Sequence, residues 1–146
     1  MPHLTILYTP QLDAEADLGA LCRALADTML AQRDDAGAPV FPPGGTRVLA
    51  FPAAHHAVSD GGAAGRAAGG DGDYAFVYLN LRMGRGRSAA VHRQVGDALL
   101  ATTKTLLGAL FQRRHLGVTL QIDEGAEVYD AKWSNLHPLF AKPHSP

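Results

Sequence analysis

The sequence predicts an α/β (α+β) fold: two consecutive β-α-β units joined into a four-stranded mixed sheet, with two helices on one face. Three observations carry this. Residues 3–8 (HLTILY) and 74–81 (YAFVYLNL) have the alternation or the aromatic and β-branched content of strands. A stretch with apolar residues at helical spacing follows each of them, and a further strand-like run closes each unit. A β-α-β crossover sets its two strands parallel with the helix on one face.

In the first unit, about residues 2–51, Leu4, Ile6 and Tyr8 share one strand face and His3, Thr5 and Leu7 the other. After Thr9-Pro10, Asp13 is the predicted N-cap, Glu15 and Asp17 suit the first turn, and Leu18, Leu21, Cys22, Leu25 and Met29 form the buried stripe. Residues 34–45 (DDAGAPVFPPGG) are turn chemistry and lead into a strand over 46–51. Residues 52–73 are so rich in Gly, Ala and Asp that they offer little to bury, which predicts a mobile surface loop.

The second unit spans about residues 74–123. Residues 82–88 (RMGRGRS) turn the chain, Ser88 caps a helix, and Val91, Val95, Leu99, Thr102, Leu106 and Leu110 mark its inner face. Arg113, Arg114 and His115 fit its C-terminal end, Gly117 is the predicted stop, and VTLQID (118–123) is the last strand. A tail, 124–146, completes one predicted domain of 1–146. Two helices on a single sheet face leave the other uncovered. The sequence assigns it Leu, Ile, Phe and Tyr side chains, so an oligomer that covers it is expected.

Composition narrows the function. With 47% hydrophobic and 18% charged residues and a formal net charge of -1, the chain has no overall field for nucleic acid or an anionic membrane. Its apolar runs fall far short of the roughly 20 residues that cross a bilayer, and its start does not read as a secretory signal, so a cytoplasmic location is expected. The single cysteine, Cys22, has no disulfide partner in the chain and reads as a small core residue. His55 and His56 are adjacent and point opposite ways in extended chain. His3, His92, His115, His137 and His144 show no ligand spacing, and no cofactor or metal is called for. The G-x-G of RMGRGRS lacks the third glycine and acidic residue of a dinucleotide site.

The candidate reactive group is Pro2. Removal of Met1, favoured by a small second residue, converts the Pro2 nitrogen from an amide into a secondary amine. An α-amino group titrates near about 7.7–8.0, and burial or neighbouring cations lower that value toward a neutral base. Proline is equally acceptable as the first residue of a strand, so Met-Pro alone does not decide the matter.

The start PHLTILYTPQLDAEADLGALCRAL, the GGTR of Gly44 to Arg47, DYAFVYLNLRMGRGRS from Asp73 to Ser88 and KWSNLHPLF from Lys132 to Phe140 resemble, in order, the 5-carboxymethyl-2-hydroxymuconate Δ-isomerase family. That family belongs to the tautomerase superfamily of amino-terminal proline enzymes. The resemblance implies a tautomerase-like homotrimer and a cofactor-independent isomerase with Pro2 as the base. Arg47 and Arg87 correspond to arginines that bind or polarise an acidic substrate, and a guanidinium fork matches a carboxylate. Arg82 falls where the family has a lysine and Arg85 where a small residue is usual; both are weaker substrate-binding candidates. Tyr74, Phe76 and Tyr78 share one strand face and read most simply as core or trimer contacts, with Tyr78 also a candidate pocket residue. Trp133 and Phe140 are expected to pack on a neighbouring subunit or over the site. The expected partner is a small carboxylate substrate. The alternatives are a keto–enol tautomerase or related amine enzyme on another small acid, and a non-catalytic trimeric binding protein.

Overall fold

The computed structural model describes residues 1–141, so His144 of the predicted tail lies outside the described residues. Four strands form one sheet in the order β2-β1-β3-β4: β1 (His3–Tyr8), β2 (Arg47–Pro52), β3 (Ala75–Gly84) and β4 (Leu116–Gly125). β1 runs parallel to β2 and antiparallel to β3, and β3 runs parallel to β4. This is the mixed sheet of two β-α-β units that the sequence predicts.

Alternation decides what each face carries. Leu4, Ile6 and Tyr8 of β1 and Ala75, Val77, Leu79, Leu81 and Met83 of β3 are buried against the helices. The two long helices, α2 (Leu18–Ala31) and α4 (Ala89–Arg113), lie side by side on that face. A hydroxyl pair, Thr28 Oγ1 to Thr102 Oγ1, links them at 2.7 Å. On the opposite face Leu7, Leu49 and Phe51 are 43%, 49% and 48% exposed, so the described residues leave large apolar side chains uncovered. Both isoleucines, Ile6 and Ile122, pack against the core, so the open face carries no isoleucine, a correction to the side chains expected there.

Other differences from the sequence reading have local causes. The first helix is broken in two: α1 (Leu12–Glu15) is one turn that inserts Leu12 into the core, and Ala16 is extended at φ -134°, ψ 150°. The cap of α2 is therefore Asp17, whose carboxylate accepts the Ala20 N–H at 2.9 Å. Asp13 instead accepts the Tyr8 hydroxyl at 2.6 Å. That bond and burial raise the Tyr8 pKa to about 12, so the phenol stays a neutral donor. In α4 the buried stripe steps by four through Val91, Val95, Leu99, Thr103 and Leu107, which replaces Thr102 and Leu106 with their neighbours. Thr103 tolerates burial because its hydroxyl donates to Leu99 O at 2.8 Å. Arg114, already extended, ends α4, and Gly117 lies within β4 beside Phe76 rather than at the helix stop.

The Gly/Ala-rich segment is also more structured than its composition suggests. It contains a short helix, α3 (Ala63–Ala67), with Gly65 buried. Asp60 accepts the N–H groups of Ala64 and Gly62 at 2.9 and 3.0 Å, which holds its carboxyl below the usual range. Tyr74 Oη accepts the Gly65 N–H at 2.8 Å. Gly62 and Gly72 have φ of 95° and 74°, and a Cβ on Gly62 would sit 2.1 Å from the Gly72 carbonyl oxygen. Where the composition offers no apolar surface, hydrogen bonds and close backbone contact hold the segment.

No helix among the described residues is long and apolar enough to cross a membrane.

Candidate functional site

Pro2 leads β1, the strand paired on both edges, and it is buried. Its register neighbours follow from the sheet: His3 pairs with Arg47 on β2 and with Arg82 on β3, and Arg82 pairs with Asp123 on β4. A row of ionisable residues therefore crosses the open face at the amino end of β1. Partial burial lowers the His3 pKa, followed by the amino-terminal charge and Arg47.

Beside Pro2 the chain turns through a 3-10 segment, Pro43–Gly45, rich in glycine for a steric reason. A Cβ on Gly45 would lie 3.2 Å from Pro42 Cγ, 3.6 Å from Pro2 Cδ and 3.7 Å from Met1 Sδ. The same turn holds Arg47, whose Nη1 donates to Gly44 O at 3.0 Å and Thr46 O at 2.9 Å. Arg47 has no carboxylate partner among the described residues.

A cavity of about 580 Å³ opens here, lined by Met1, Arg47, Lys132, Trp133, Asn135 and Leu136 among others. Met1 is bonded to the Pro2 nitrogen, so that nitrogen is directed toward a residue of the cavity wall. The tail brings Lys132 and Trp133 over it because its own 3-10 turn, His137–Phe140, docks on the turn that carries Gly44. There a Cβ on Gly44 would lie 3.2 Å from His137 Cδ2 and 3.3 Å from Phe140 Cδ2.

The remaining candidates divide. Arg87 stands at the same end of the sheet, half-buried, with Nη1 donating to Gly84 O at 3.1 Å and Nη2 to Val40 O at 2.7 Å. It ties the turn after β3 to the loop before β2 and, like Arg47, has no carboxylate partner among the described residues. Arg82 is in β3, not in the turn, and its Nε lies 3.9 Å from Glu127 Oε1. Arg85 is exposed in the turn. Tyr78 is four residues from Arg82 along β3, about 13 Å at 3.3 Å per residue. It pairs with Leu7 and donates its hydroxyl to Gln121 Oε1 at 2.9 Å. Within this chain Tyr78 therefore stands apart from Pro2. Sequence reasoning left Trp133 between two locations, and it lines the cavity; Lys132 went unremarked, although KWSN puts a cation next to the only tryptophan.

A family model described as 5-carboxymethyl-2-hydroxymuconate isomerase matches residues 2–140. The 5-carboxymethyl-2-hydroxymuconate Delta-isomerase of Escherichia coli is 31% identical over 140 residues, 96% of this chain and 99% of that protein. Among solved structures, a 5-carboxymethyl-2-hydroxymuconate delta-isomerase superposes with a TM-score of 0.96 at 61% identity, over 99% of this chain and 96% of the other. A 5-carboxymethyl-2-hydroxymuconate isomerase from Deinococcus radiodurans R1 gives a TM-score of 0.79 at 33% identity, over 97% and 95%.

Proposed function

The chain belongs to the 5-carboxymethyl-2-hydroxymuconate isomerase family and is an isomerase of the tautomerase superfamily, and on that premise we propose that Pro2, freed of Met1, is the base of a cofactor-independent proton shift. The observation that carries this reading is the Met1–Pro2 bond: Met1 lines the cavity that Arg47 also lines. Cleavage of that bond turns the buried Pro2 nitrogen into an amine facing the space Met1 leaves. Neighbouring cations and burial both favour its neutral form.

The substrate is 5-carboxymethyl-2-hydroxymuconate or a close unsaturated carboxylate. Arg47 binds a carboxylate with the guanidinium edge its two carbonyl bonds leave open, and Arg87 adds positive potential from the turn after β3. Pro2 takes a proton from the dienol or from an activated carbon, and the electron pair moves into the conjugated system as a dienolate. The same nitrogen then returns the proton at another carbon, so no atom or electron is gained or lost. The arginines stabilise the dienolate as its charge spreads.

The enzyme works as a homotrimer that covers Leu7, Leu49 and Phe51, a reading their exposure supports. It works in the cytoplasm, where methionine aminopeptidase processes it, and needs neither nucleic acid nor membrane. The test is intact mass followed by an isomerisation assay on 2-hydroxymuconate-type acids. Protein that starts at Pro2 should turn over, and protein that keeps Met1 should not. Equal activity of the two forms would overturn the assignment of the base.

A further inference from the structure

The tail is pinned at two points and arches between them. Near its start, Glu127 reaches toward Arg82, and near its end the turn His137–Phe140 sits on Gly44. Between these anchors Lys132 and Trp133 line the cavity that Arg47 lines from the sheet side. Lys132 has one anionic partner among the described residues, Asp130 two positions away, and both side chains are more than two-fifths exposed. Solvent screens such a pair, and a ligand anion competes with it readily. Trp133 is fully exposed, a large apolar surface at the rim of the cavity. A volume of about 580 Å³ suits a ligand of small-acid size with room to spare.

We propose that Lys132 and Trp133 are specificity-determining residues of the Pro2 site. Lys132 takes the second carboxylate of a substrate whose first carboxylate is on Arg47, and Trp133 covers the flat unsaturated chain between them. The site thereby selects dicarboxylates over monocarboxylates of the same skeleton. This rests on the reading of the Pro2 cavity as the active site.

The full, processed chain supplies its own reporter, because Trp133 is its single tryptophan. Fluorescence titration with trans,trans-muconate and with sorbate compares the same six-carbon diene with two carboxylates and with one. The wild type should quench with both and prefer muconate by at least tenfold. Lys132→Met should cut that preference at least fivefold, and Lys132→Arg should restore it. An unchanged preference in Lys132→Met overturns the Lys132 assignment, and no change in fluorescence with muconate at millimolar concentration overturns that of Trp133. Pro2→Ala separates the two readings: it should keep the muconate preference while losing turnover. If it keeps turnover, the base reading falls and the carboxylate assignment stands on its own titration.

Discussion

The two ends of the central strand use arginine in opposite ways. Beyond the carboxyl end of β1, Arg114 is 11% exposed and meets two carboxylates, Glu15 at 2.8 Å and Asp73 at 2.9 Å, and Gln11 donates to Asp73 and to Tyr74 O. At the amino end, among the described residues, Arg47 and Arg87 are held only by carbonyl oxygens, which orient a guanidinium without neutralising it. A cation satisfied by carboxylates is a staple. One fixed by backbone dipoles keeps its charge for an incoming anion. Arginine count says nothing of this difference; the partners do.

The largest effect should come from the amino end itself. Pro2→Ala, or any extension that keeps the residue 2 nitrogen an amide, should lower kcat by about 10²–10⁴-fold. Circular dichroism and melting should stay close to those of the parent, because the strand pairing of β1 begins at His3. A folded variant with full turnover would erase the contrast between the two ends. Next, Arg47→Ala should cost on the order of 10²-fold in kcat/KM, as loss of one charged donor to a developing anion does. Arg87→Ala should follow it at about tenfold or more, a smaller loss because its guanidinium is outside the cavity lining.

Arg114→Met should reverse the pattern. It strands Glu15 and Asp73 and should lower stability by about 1–2 kcal/mol in a denaturant titration, with kcat and KM unchanged. Limited proteolysis should then cut within residues 58–73 first. A loss of turnover without a loss of stability would mean that the carboxyl end reaches the site after all.

The smallest effect belongs to His3. Its folded pKa is below the ordinary 6.5, so the unfolded chain binds the proton more readily. Stability should therefore rise with pH through the region just below and around 6.5 and be lost as pH falls through it. Thermal melts of His3→Gln should flatten that slope.

How far the sequence was legible follows the range of the interactions. Strand alternation and the helical stripes are local, and they placed four strands and two long helices on one sheet. The break at Ala16 was hidden because Leu12 is drawn into the core by tertiary packing, and the order of residues 58–73 because Tyr74 lies beyond the segment it holds. Pro2 and Arg47 stood out through the family resemblance of the residues around them, and the fold sets Arg47 in the wall of the cavity that Met1, bonded to Pro2, also lines. The place of Lys132 over the cavity was not, since it depends on a distant turn docking against Gly44, a contact without periodicity.

The facing pair Gly62 and Gly72 has a consequence for mutational tolerance. Counting residues would treat the stretch around them as interchangeable filler, in which Ala could replace Gly freely. The 2.1 Å approach and the positive φ angles make those two positions intolerant even of a methyl group, while Gly61 and Gly69, with open space around them, face only the backbone restriction. Gly65, where a Cβ would lie 2.7 Å from Tyr74 Cε1, is a third such position, so a saturation scan should find three narrow points of constraint inside a segment that reads as low complexity, and drift between relatives should pass around them.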